Sequence, residues 1–83
     1  MIRYKKNELL VVDWIDAETI ADWVDEVGST TPPSALFRTA GFYSGKDKKF
    51  FYLSWSIGLE KNYQRSKDSI PLGCITKIER VKY

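Results

Sequence analysis

The sequence predicts a mainly β domain with one short α-helix: a small SH3-like or Sm-like β-barrel with the helix inserted after the first strand. Three observations carry this expectation. Apolar segments of strand length recur between turn signals, Gly45-Lys46-Asp47-Lys48 separates two alternating runs, and Ile70-Pro71-Leu72-Gly73-Cys74-Ile75 interrupts the last strand-like stretch with Pro and Gly. Five short strands, a central hairpin and a one-turn break before the last strand follow the order of such a barrel, in which curling closes most sheet edges. The 83 residues are read as a single domain, 1–83, because a chain of this length holds one core.

The first strand is Glu8 to Ile15, with Leu10, Val12 and Trp14 on one face and Leu9, Val11 and Ile15 on the other. Asp16 then supplies an N-cap, and Ala17, Ile20, Ala21, Val24 and Val27 recur at helical spacing until Gly28, which predicts a helix over 17–27. Pro32 and Pro33 end that segment in a loop. Ala35–Ser44 and Lys49–Ile57 form the hairpin arms. Phe51, Leu53, Trp55 and Ile57 are expected on the core face, together with Leu36, Ala40 and Phe42. Gly58 to Ser69 is polar and without period, hence an exposed loop, and Ile75 to Tyr83 is the last strand.

Composition narrows the chemistry. There is no histidine and one cysteine, which removes the usual general base, the common triads, the common zinc sets and any intramolecular disulfide. Cys74 reads as a small packed hydrophobe in a reducing compartment. No catalytic residues, cofactor or metal are therefore expected. The longest aliphatic run, Leu9 to Val12, is far short of the roughly 20 residues a bilayer needs, so the expectation is a cytoplasmic protein without a membrane segment.

Charge is two-ended. Residues 7–34 carry seven acids and no Lys or Arg, residues 35–83 carry ten bases against four acids, and the first six residues add three more cations. Such asymmetry suits contact between the two parts, within or between subunits, or two surfaces for different partners. Lys61, Tyr63, Arg65 and Lys67 place cations and an aromatic ring on the long polar loop, as an anionic ligand requires: a guanidinium fork for phosphate and a ring to stack a base. The same lysines also suit plain solvation. Phe37, Tyr43, Phe50 and Tyr52 fall on the noncore face of the expected hairpin and would form an interface, most simply between copies of the chain.

Three other groups have structural readings first. Trp14 and Trp23 dock the helix on the sheet, Glu18, Asp22, Asp25 and Glu26 form a solvated or partner-facing acidic face, and Asp13 with Asp16 mark a strand end and a cap. Val12-Asp13-Trp14-Ile15-Asp16-Ala17 followed by Trp23, Arg38-Thr39-Ala40-Gly41-Phe42 and Ile70-Pro71-Leu72-Gly73-Cys74-Ile75-Thr76-Lys77-Ile78 resemble, in order and spacing, a group of small proteins encoded by bacteriophages and prophages. The chain departs from that pattern at Ala40 and Phe42, where Val and Trp are expected, and in its longer 58–69 stretch. No catalytic residues are assigned to the group, so the resemblance implies viral origin and not a reaction. The expectation is a noncatalytic, homo-oligomeric phage protein that counters host defence by sequestering an anionic, for instance cyclic, nucleotide or by blocking a host immune protein. Alternatives are an RNA- or DNA-binding barrel and a structural or assembly component of a phage particle.

Overall fold

Apolar residues at every second position give β1 (Leu9–Ile15) an inner face of Leu10, Val12 and Trp14, and the sheet grows on both its sides. The structure is a computed structural model that describes residues 3–16, 35–60 and 63–83. β2 (Leu36–Lys46), β3 (Phe50–Ile57), β4 (Gln64–Pro71) and β5 (Ile75–Arg80) complete one antiparallel sheet in the order β4-β3-β2-β1-β5. The helix expected over 17–27 lies outside the described residues, as do Trp23, Glu18, Asp22, Asp25, Glu26 and Lys61.

A single 3-10 turn, Leu72–Cys74, joins the two edge strands. Only four Cα steps separate Pro71 from Ile75, a reach of at most ~15 Å, whereas the edges of a flat five-stranded sheet lie ~19 Å apart. The sheet therefore curls, and Leu72, Ile75 and Ile78 fold onto a core of Leu10, Val12, Phe51, Leu53 and Ile70. No ladder joins β4 to β5, so the sheet is curled but open.

The expected hairpin is present, but its register corrects the face assignment. β2 carries a bulge between Tyr43 and Gly45: Gly45 pairs with Tyr52 before it, and Tyr43 pairs with Leu53 after it. One extra residue inverts every side chain beyond it. The inner set of β2 is thus Phe37, Thr39, Gly41 and Tyr43, and not Leu36, Ala40 and Phe42; Leu36 is exposed. On β3, Phe51 and Leu53 are buried as expected, but Trp55 is 64% exposed, its indole N–H donating to Asp68 Oδ2 at 2.8 Å. Gln64–Ser69, expected as the end of the 58–69 loop, belongs to a strand that runs to Pro71 and pairs with β3 from Ile57 to Phe50. Its polar sequence is that of an edge, where most side chains meet water.

At Gly41 the backbones of β2 and β3 approach so closely that an added Cβ would lie 2.9 Å from the Ser54 carbonyl oxygen and 3.0 Å from Leu53 Cβ. Neither neighbour is the end of a flexible chain. Gly41→Ala is expected to cost about 1–3 kcal/mol in urea denaturation, while Gly73→Ala, whose added Cβ meets nothing within 4 Å, stays near neutral.

Candidate functional site

The turn before β1 builds one side of the site. The Glu8 N–H donates to the Lys5 carbonyl at 2.9 Å, and Glu8 Oε1 accepts from the Lys5 N–H at 2.9 Å. Asn7 takes the left-handed conformation this turn needs, with φ of 70°, at a residue type that tolerates it. Tyr4 then folds back onto the core, its ring centroid 5.7 Å from Tyr43 and 5.9 Å from Phe51.

Antiparallel pairing of β1 with β5 brings residues 80–83 beside this turn, with Arg80 opposite Leu10 and the Val81 N–H donating to the Leu9 carbonyl at 3.0 Å. Arg80 clasps the two: its guanidinium lies 4.9 Å from the Tyr4 ring centroid, bonds the Glu8 carboxylate at 2.7 Å and donates to the Arg3 carbonyl. The result is an open hollow of about 740 Å³ walled by Arg3, Lys5, Lys6, Glu8, Arg80 and Tyr83. Its single acid, Glu8, is paired with Arg80, and the side-chain charges of Arg3, Lys5 and Lys6 have no carboxylate partner among the described residues. The hollow therefore presents net positive charge to solvent.

Gln64 ties the start of β4 to the same region. Its Nε2 donates to Asn7 Oδ1 at 2.7 Å and to the Tyr43 carbonyl at 3.1 Å, and its Oε1 accepts from Ser44 Oγ at 2.7 Å. Of the residues expected to hold an anion, Tyr63 is 64% exposed just before β4, and Arg65 and Lys67 stand exposed on that strand rather than on a loop. Lys61 lies outside the described residues.

The four expected interface aromatics do not form one patch. Phe37 stacks on Trp14 at 5.3 Å, Tyr43 packs on Phe51 at 5.1 Å, and Phe50 with Tyr52 form a separate pair at 6.2 Å. Tyr43 shares the face of Leu53 at the bulge, whereas Phe37 pairs with Trp14 at the far end of β2 and stays 44% exposed. Asp13 is held by Arg38 in a two-pronged pair at 2.6 and 3.0 Å across the β1–β2 ladder, which keeps its carboxyl below the usual range, first through that hydrogen bond.

Sequence reasoning missed the hollow and Gln64. The cations at both ends of the chain were visible, but only the β1–β5 ladder makes them neighbours.

Asp47 nucleates the β2–β3 turn by accepting from the Tyr52 hydroxyl and from the Lys49 and Phe50 N–H groups, and these bonds, the Tyr52 bond foremost, hold its pKa below the ordinary 3.8. A depressed folded value means that this stabilisation is fully present above 3.8 and is lost as pH falls through the lower value of the folded state. Asp47→Asn is expected to lower stability at pH 7 and to flatten the acid limb of a plot of urea midpoint against pH. Gln64→Leu, which removes the three part-buried hydrogen bonds of the Gln64 amide to Asn7, Ser44 and the Tyr43 carbonyl, is expected to cost about 1–3 kcal/mol in the same assay. No family model, curated protein or solved structure matches the chain.

Proposed function

We propose that this protein works by holding a phosphate-bearing nucleotide ligand in the hollow between residues 3–8 and 80–83. The single observation that supports this reading is three cations, Arg3, Lys5 and Lys6, in no ion pair among the described residues, around a concavity whose one acid among those residues, Glu8, is already paired with Arg80. A paired acid opposes an anion far less than a free one does, and charge-assisted hydrogen bonds to phosphate are the strong kind. A volume of about 740 Å³ falls within the ~300–1,000 Å³ range of small-molecule sites. The sheet order β4-β3-β2-β1-β5 with a single turn between β4 and β5 supports reading the fold as an SH3-like or Sm-like barrel. With the resemblance to phage-encoded proteins, the biological setting that follows is capture of a host nucleotide signal, a counter-defence that needs binding and no turnover.

Calorimetric titration with inorganic pyrophosphate and with ADP tests the reading. Binding is expected, weakened at least about tenfold in Lys5→Ala/Lys6→Ala and unchanged in Lys48→Ala on the hairpin turn. No heat and no thermal stabilisation with either probe would remove the proposal.

A further inference from the structure

We infer that the ligand is one single strand of nucleic acid, running from the hollow at Lys5, Lys6 and Tyr83 onto β4 at Tyr63, Arg65 and Lys67; this rests on the anion-binding reading above and names its ligand class. The Tyr43 carbonyl accepts from both the Asn7 N–H at 2.9 Å and Gln64 Nε2 at 3.1 Å, and Gln64 also bonds the Asn7 side chain at 2.7 Å. Lys5 and Lys6 immediately precede Asn7, and Tyr63 and Arg65 flank Gln64. Two cation-bearing segments more than fifty residues apart in sequence are thus fastened side by side.

The chemistry along this strip is that of a strand rather than a mononucleotide. Arg3, Lys5, Lys6, Arg65 and Lys67 are exposed and none is in an ion pair among the described residues. They lie on two segments, and Arg65 and Lys67 are not among the residues that wall the hollow, an arrangement that suits a backbone with a charge at every nucleotide. Tyr63 and Tyr83, 64% and 87% exposed, add a ring to each segment on which an unpaired base can stack. The hollow is open, so a nucleotide held in it can continue into a longer strand. Stacking on tyrosine needs bases free of a duplex, which selects single strands.

Fluorescence anisotropy with fluorescein-labelled 12-nucleotide oligothymidylate and oligouridylate, between 50 and 200 mM NaCl, tests the inference, with ADP and a 12-base-pair duplex as competitors. Five phosphate contacts predict a log–log salt slope of about −3.5. Lys5→Ala/Lys6→Ala and Arg65→Ala/Lys67→Ala should each reduce that slope by about 1.4, and Tyr63→Ala or Tyr83→Ala should weaken binding roughly 5- to 100-fold. Circular dichroism and urea midpoints establish that each variant is folded. An oligonucleotide affinity and slope indifferent to the Arg65 and Lys67 pair, or matched by ADP or by the duplex, overturns the strand and leaves the anion-binding hollow standing. Failure of both the oligonucleotides and pyrophosphate overturns both.

Discussion

The bulge in β2 between Tyr43 and Gly45 is the constraint on which the remaining structure depends. By displacing one residue from the ladder it turns Tyr43 inward, where the ring completes an aromatic group with Tyr4 and Phe51 and where burial raises its hydroxyl pKa. The same residue offers its backbone outside the β2–β3 ladder: its carbonyl receives Asn7 and Gln64, and its N–H donates to the Glu8 carbonyl at 2.8 Å. Ser44, the displaced residue, uses its hydroxyl to hold Gln64 from the other side. One irregularity thus anchors the turn before β1, the start of β4 and part of the core. Bulges commonly re-aim side chains near functional sites, and here the candidate site is assembled from the two segments that the bulge collects.

Curling of the sheet follows from a second constraint, the shortness of the link between its edges. A three-residue 3-10 turn cannot span a flat sheet, so β4 and β5 are drawn toward each other and the apolar residues around the turn are pressed inward. Gly41 allows the close backbone approach that the curl demands at β2 and β3. Ser54, fully buried at that approach, has its hydroxyl satisfied by the carbonyls of Arg65 and Ser56, at 2.6 and 2.9 Å, so the polar group costs little there.

Charge is distributed in two ways over this frame. On the sheet, Asp13 with Arg38, Lys77 with Glu79 and Glu8 with Arg80 satisfy each other at exposed or half-exposed positions, where screening leaves little net stabilisation. Their effect is subtractive: they pair three of the seven acids of the described residues, Glu8 beside the hollow among them. Among the described residues the charge left unpaired at residues 3–6 is cationic, on β4 Arg65 and Lys67 outnumber Asp68, and a field of one sign over a concavity favours an anion long before contact.

The sequence by itself determined the inner face of β1, a hairpin turn and four strands, expected over 8–15, 35–44, 49–57 and 75–83 and found at 9–15, 36–46, 50–57 and 75–80, because alternation and Asp/Gly turn chemistry are local properties of neighbouring residues. It read Gln64–Ser69 of β4 as the end of a loop, since an edge strand exposes most of its side chains and its composition resembles that of a loop. It likewise set Tyr43 on the noncore face, because a bulge is decided by how two strands pair and leaves no period to read in either one. Arg65, Lys67 and Tyr63 were legible as exposed candidates from their chemistry alone. Their adjacency to Lys5 and Lys6, and the hollow beside Arg80, was decided only by tertiary structure: hydrogen bonds such as Gln64 to Asn7 and ladders such as β1 to β5 join residues whose separation in the chain carries no trace of their contact.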